Sequence, residues 1–352
     1  MKGWVTGKVR GLLLLGLSLS WVALVGAPGC DWFNAPVEAN IPPDTEMDIC
    51  PSHENITIGD DVTFAWSGSD VDGAVAVYEW TFGDESGETT SESLTIEDVV
   101  EGSHTFTVSA VDDGGDRDAT PAECKIVVTR ATRVVLVELF TTKFCTFCPE
   151  AETALMELLD EYGSSELCVV GYHYWREGYS PPDPLATEET TERIEWYTGG
   201  TPGFPRATFD GLRYVSGAPS VTEAKANYRA EIDLRRAQPS PVTLSLTGGV
   251  RATRGEVTAR VRVREPLGAG PNVLRVVVFE NDVFSDGKIY EFVTRDILDD
   301  QELDVSAVGD SAVVTTSFTL DPAWDDENID VIAFVQNDSS KEVMQSARLS
   351  RE

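Results

Sequence analysis

Residues 134–163 read VVLVELFTTKFCTFCPEAETALMELLDEYG. Val134 to Phe140 is a nearly continuous apolar run interrupted by Glu138, the pattern of a central strand buried on both faces. Thr141 to Phe144 forms a connection, and a helix is expected to begin around Cys145–Cys148. Pro149 is tolerated in a first turn, and Glu150 and Glu152 suit the positive end of the helix dipole. Ala151, Leu155, Leu158 and Tyr162 recur at helical spacing, with Gly163 as a natural stop. The C-x-x-C pair thus falls at a strand-to-helix junction. Unpaired backbone N–H groups there stabilise a thiolate, which is the attacking species in thiol–disulfide exchange. The three-residue offset lets the second sulfur reach back and close a disulfide. On this reading Cys145 is the nucleophile, Cys148 the resolving thiol and Lys143 a nearby positive charge.

Downstream, Leu167 to Tyr174 reads as a second strand, followed by a loop with Pro181, Pro182 and Pro184 and a helix near Ala186–Tyr197. The string TGGTPGFPRATFDGLRYV gives strand, Asp210–Gly211 turn and strand. Val221, Ala224, Tyr228 and Ile232 mark an amphipathic helix with Ser220 as N-cap. The order β-α-β-α-β-β-α is that of a thioredoxin fold, and FCTFCPEAE followed by GFPRATFDG is similar to thioredoxin-like proteins. That resemblance implies a cis-proline before a strand, facing the cysteines; Pro205 fits best and Pro202 next.

VELFTTKFCTFCP, YHYW and GFPRATFDG look closer to two groups of exported bacterial proteins: a secreted family opening VELFTS, and outer-membrane lipoproteins that pair a thioredoxin-like domain with a C-terminal β domain. Two features depart from the usual pattern: Phe144 replaces the Trp before the first cysteine, and Thr146–Phe147 replaces Gly-Pro between the pair. Glu138 is the counterpart of the buried acid that moves protons in ordinary thioredoxins, but it lies one position further from Cys145, a shift that can turn a strand residue to the other face. His173 is expected at the sheet end near the active face. With Cys145, Cys148 and Cys168 it would make a possible Zn²⁺ set, but the second C-x-x-C of a zinc ribbon is missing, so no metal or other cofactor is expected.

On either side lie β modules. In residues 46–131, VTFAWSGS, AVAVYEWTFGD and GSHTFTVSAVDDGG alternate like strands and break at glycine turns, indicating an immunoglobulin-like sandwich. GSDVDG, YEWTFGD and HTFTVSAVDDGG resemble PKD and fibronectin-like modules, which specify a fold and not an activity. Cys50 and Cys124 bracket this segment and are expected to form a structural disulfide. Asp70, Asp72, Asp112 and Asp113 sit in turn-like strings as oxygen ligands for Ca²⁺ or, more simply, as solvated turns. Residues 238–352 alternate again, and VVVFENDVF with DVIAFVQNDSSKEVMQSA resembles the C-terminal domain of the same lipoprotein family. The expected class is therefore multidomain α+β: an immunoglobulin-like β-sandwich, a thioredoxin-like α/β domain over 132–237, and a C-terminal antiparallel β-sandwich over 238–352.

Residues 1–30 read as a secretory signal: Lys2, Lys8 and Arg10, an apolar run from Leu12 to Val25, then LVGAPGC, which resembles a bacterial lipobox ending at Cys30. In lipobox proteins the cysteine is lipidated. Ala27 and Pro28 depart from the usual motif, and simple secretion is the alternative. Residues 31–45 would be a Pro-containing tether. The expected location is the cell envelope, at the outer membrane or the periplasmic face of the inner one. The 352-residue chain carries 27 Lys+Arg against 60 Asp+Glu, a net −33, which excludes bulk binding to nucleic acid. Residues 31–131 alone hold 23 acids and 3 basics, so the excess belongs to the first sandwich rather than to the cysteine region. Two functions remain: thiol–disulfide exchange with the thiols or disulfides of exported proteins, and a non-catalytic envelope lipoprotein whose C-x-x-C is a static disulfide and whose β modules bind partners.

Overall fold

The computed structural model describes residues 39–51, 56–178, 180–200 and 203–349. The signal segment, Cys30, most of the tether and Pro202 lie outside the described residues.

The first module is a sandwich of β1 (Asp44–Ile49), β2 (Val62–Ser69), β3 (Val75–Phe82), β4 (Glu85–Thr89), β5 (Ser93–Ile96), β6 (Gly102–Asp112) and β7 (Ala122–Val128). One sheet runs β1-β2-β5 and the other β4-β3-β6-β7, all antiparallel. Alternation along β2 turns Val62, Phe64 and Trp66 inward, where Phe64 stacks on Phe106 of the facing sheet at 4.3 Å between ring centroids. The Cys50–Cys124 disulfide ties the end of β1 to β7 and so joins the two sheets. This module is immunoglobulin-like, as its alternation predicts.

The chain continues through β8 (Val135–Thr141), α1 (Cys148–Tyr162), β9 (Leu167–His173), α2 (Glu188–Thr198), β10 (Arg206–Phe209), β11 (Arg213–Ser216) and α3 (Val221–Arg236). It ends with β12 (Val242–Arg251), β13 (Arg254–Val263), β14 (Asn272–Glu280), β15 (Val283–Ser285), β16 (Lys288–Tyr290), β17 (Val293–Ile297), β18 (Gln301–Leu303), β19 (Ser311–Thr319), β20 (Ile329–Asn337) and β21 (Val343–Arg348). Thr187 caps α2 in a reciprocal capping box with Thr190, and Ser220 caps α3.

The expected fold class is corrected here. The described residues are mainly β-sheet, with only three helices, of 15, 11 and 16 residues, and no self-contained thioredoxin-like α/β domain. The strands assigned to such a domain are one half of a nine-stranded sheet, ordered β11-β10-β8-β9-β17-β14-β20-β21 with β18 on β14. β8 and β9 run parallel, and β9 then continues into the C-terminal strands through a parallel bridge between Gly171 and Val293. The C-terminal sandwich is likewise not separate. Its three-stranded sheet, β12-β13-β19, packs against the far half of the shared sheet.

The physical reason lies in β14 (NVLRVVVFE) and β20 (IDVIAFVQN), both buried along their whole length. Leu274, Val276 and Val278 face the three-stranded sheet, while Val277 and Phe279 join the core built on β8, β9, α1 and α3. Strands apolar on both faces need a cover on each side, and here the helices supply one of the two. Polar groups complete the seam. Arg133 Nη1 donates to the Val343 carbonyl at 2.7 Å, and the buried Asp210 carboxylate accepts from Arg133, from Arg235 and from the Leu136 amide.

Candidate functional site

The connection after β8 places Cys145 just ahead of α1 and Cys148 at its first residue, where they form a disulfide. Pro149 occupies the start of the helix, Glu150 its first turn, and Phe147 stands at the N-cap position without a side-chain cap. The first-turn N–H groups are therefore not taken up by a capping side chain and remain beside the cysteines. Cys148 is buried and Cys145 half-exposed, so an incoming sulfur meets Cys145 first.

A groove of about 520 Å³ opens on one side of Cys145, lined by Phe144, Phe147, Tyr174, Trp175 and Phe204 among others. Phe144 and Phe147 are each 52% exposed, unusual for phenylalanine. The Phe204–Pro205 peptide bond is cis and leads directly into β10. A second cleft, of about 630 Å³, lies on the other side, between the start of α1 and the β15–β16 hairpin, and both cysteines line it.

The remaining sequence candidates are placed as follows. Glu138 is fully buried and engaged away from the disulfide: Arg193 Nε donates to its Oε1 at 2.8 Å and the Tyr197 hydroxyl to its Oε2 at 2.6 Å. Arg193 also reaches Gln336 on β20 at 2.8 Å, so this network braces α2 against the sheet. Lys143 Nζ reaches the hairpin, donating to Asp286 at 2.5 Å and Ser285 at 2.7 Å, so its charge is spent on an ion pair. His173 is buried, and its Nδ1 lies 2.9 Å from Asp183 Oδ2, which also accepts the Lys143 amide at 2.7 Å. Burial works against the Asp183 charge, but the bonds from His173 and the Lys143 and Leu185 amides outweigh it and hold the carboxyl below the usual carboxylate range. Cys168 is a free thiol buried in β9, pushed up to about 12 by burial, and is unreactive as placed. Among the described residues there is no cluster of three or more His, Cys, Asp or Glu side chains arranged to hold a metal ion.

Two site residues escape a reading of the sequence. Asp183 organises the floor beneath Lys143 and His173, yet it is one acid in a proline loop. Glu152 lines the second cleft with both cysteines, and its Oε1 accepts the Glu291 amide at 3.0 Å. Burial, opposed by that amide and reinforced by the Glu291 charge, raises the Glu152 carboxyl to about 7. The available signal was its spacing: Glu152 is one helical turn beyond Cys148.

No family model matches the chain, and no curated protein matches it. Among solved structures, the chain is similar to HBP35 of Porphyromonas gingivalis, with a TM-score of 0.51 and 19% identity over 63% of this chain and 76% of that one. At that identity the likeness is one of fold. A protein of Agrobacterium tumefaciens aligns with a TM-score of 0.45 and 22% identity over 62% of this chain and 96% of that one. A domain of the outer membrane lipoprotein Omp28 of P. gingivalis aligns with a TM-score of 0.23 and 13% identity, over 32% and 89% of the two chains.

Proposed function

We propose that this is an exported envelope protein whose Cys145–Cys148 pair exchanges disulfides with the thiols or disulfides of other exported proteins. The observation that carries the reading is the half-exposed Cys145, bonded to a buried Cys148 at the start of α1 and bordered by a groove with exposed aromatic side chains. A thiolate formed at Cys145 is stabilised by the helix N-terminus, which makes it a good leaving group and a competent nucleophile. A lipid on Cys30 would anchor the chain to a membrane, with residues 31–45 as tether, and simple secretion is the alternative. Nucleic acid is not a partner on this reading, because the net charge of −33 repels phosphate.

A redox titration of the Cys145/Cys148 couple tests the proposal. An exchanging pair is expected above about −300 mV and a static disulfide below it. Cys145→Ser is expected to abolish exchange, and Cys148→Ser to accumulate mixed disulfides on Cys145. Retained activity in Cys145→Ser would sink the assignment.

A second reading is a non-catalytic envelope protein in which the pair is a structural disulfide and the β modules bind partners. The predominance of β-sheet favours it, and the comparisons fit it better than they fit exchange. A couple that stays oxidised well below −300 mV would establish it.

A further inference from the structure

The second cleft holds a carboxyl group on the same helix as Cys148, and exchange requires a proton acceptor there. Cys148 is buried, so its thiol has little access to solvent when it must lose a proton. Glu138, the acid that the thioredoxin resemblance implies for this task, is engaged by Arg193 and Tyr197 from α2. Glu152 stands one turn beyond Cys148 on α1, so the two side chains lie one above the other on the same helix face, and both line the cleft of about 630 Å³ with Cys145. That volume admits water between thiol and carboxylate.

We propose that Glu152 is the proton acceptor for Cys148 in the second half of the exchange, a role that rests on the exchange reading above. Once Cys145 has formed a mixed disulfide with its partner, Cys148 gives its S–H proton to the Glu152 carboxylate. The resulting thiolate attacks Cys145 Sγ and forms the Cys145–Cys148 bond. The mixed disulfide breaks, its electron pair leaves on the partner's sulfur, and that sulfur takes a proton from solvent. The partner's disulfide ends reduced to two thiols and the protein pair ends oxidised.

The surroundings suit the task. Burial raises the Glu152 carboxyl to about 7, where a general base is most effective near neutral pH. The charged groups facing it from the hairpin side are Glu291, Asp282 and Lys288, with Tyr290 beside them. From the loop before α1, Lys143 is paired with Asp286, so its charge is already met there.

The test is stopped-flow reaction of the reduced full chain with an equimolar aromatic disulfide, 5,5′-dithiobis(2-nitrobenzoate). The first thionitrobenzoate release reports attack by Cys145, and the second reports resolution by Cys148. In the wild type the second rate is expected to rise with pH through an inflection near 7. Glu152→Gln keeps an oxygen for the Glu291 amide but accepts no proton. It is expected to lower the ratio of second to first rate about 10-fold or more and to lose the inflection. Glu152→Asp is expected to recover part of both. An unchanged ratio and pH profile in Glu152→Gln overturns the proposal while leaving exchange standing. Should Glu152→Gln not fold, a wild-type second release without an inflection overturns it equally. Absence of both releases in the wild type overturns exchange itself, and the role of Glu152 with it.

Discussion

Around the disulfide, single carboxylates do opposite things, and pH separates them. Asp183 is buried but richly hydrogen-bonded, and its folded pKa lies below the unfolded value. Its contribution to stability is therefore present above the unfolded pKa near 4 and lost as pH falls through the folded one. Asp183→Asn should cost about 1–3 kcal/mol at neutral pH and flatten the acid limb of a plot of urea midpoint against pH. An acid limb unchanged in the variant would place the titration elsewhere. Glu152 has the reverse sign, because its folded pKa is raised to about 7. Between its unfolded value near 4.5 and about 7, the folded state binds the extra proton, so stability should fall as pH rises through that window. Glu152→Gln should remove the fall, gaining on the order of 1–2 kcal/mol at about pH 8 relative to about pH 5, after a discount for solvent screening. Equal slopes in variant and wild type would contradict the burial of the charge.

At the scale of elements, the decisive contact is where β9 meets β17. Gly171 donates its amide to the Phe292 carbonyl at 2.8 Å, and a Cβ on Gly171 would sit 3.0 Å from that same oxygen. Backbone on both sides leaves little room to yield. Gly171→Ala should therefore destabilise by about 1–3 kcal/mol, read from the urea midpoint, whereas Gly249→Ala, which meets nothing within 4 Å, should be near neutral. Equal effects of the two substitutions would mean that the seam tolerates the methyl group. The hairpin of β15 and β16 hangs from this seam and forms one wall of the cleft beside the cysteines, so the C-terminal strands shape the site that α1 carries.

Across the whole molecule, the two disulfides have different settings. Cys50–Cys124 closes a loop 74 residues apart in sequence; Cys124 is 1% exposed in the core of the sandwich, while Cys50 is exposed. Loop closure of that length is worth on the order of 4 kcal/mol. Replacing both cysteines with serine should lower the melting temperature of the first sandwich while leaving the Cys145–Cys148 disulfide formed. A melting temperature unchanged by the double substitution would show that the staple adds nothing to an already sufficient core. The sandwich rests on the remainder through the largely buried Arg264, which donates to the Ile58 carbonyl at 3.1 Å and to Asp60 at 2.5 Å. Its acidic surface thus meets an arginine just past β13, which is where part of the opposite charge is found.

Local order was legible in the residues. Alternation in VTFAWSGS marked the first sandwich, the apolar run ending at Phe140 marked the central strand, and the position of Pro149 put the C-x-x-C at a helix start. Those features depend on neighbours along the chain, and the chain displays them directly. The union of residues 132–237 with the C-terminal strands was not legible, although the unbroken apolar runs of β14 and β20 carried a hint of it. A run apolar on both faces says that two covers are needed and is silent on which elements supply them. In the same way, the resemblance implied a proton carrier at Glu138 although its spacing was off by one, and only the packing of α2 decided that Arg193 and Tyr197 would engage it, while Glu152 lines the cleft with both cysteines. Periodicity and turn chemistry are properties of the chain. Which buried charge finds which partner depends on elements far apart in sequence, and that is decided only when they pack.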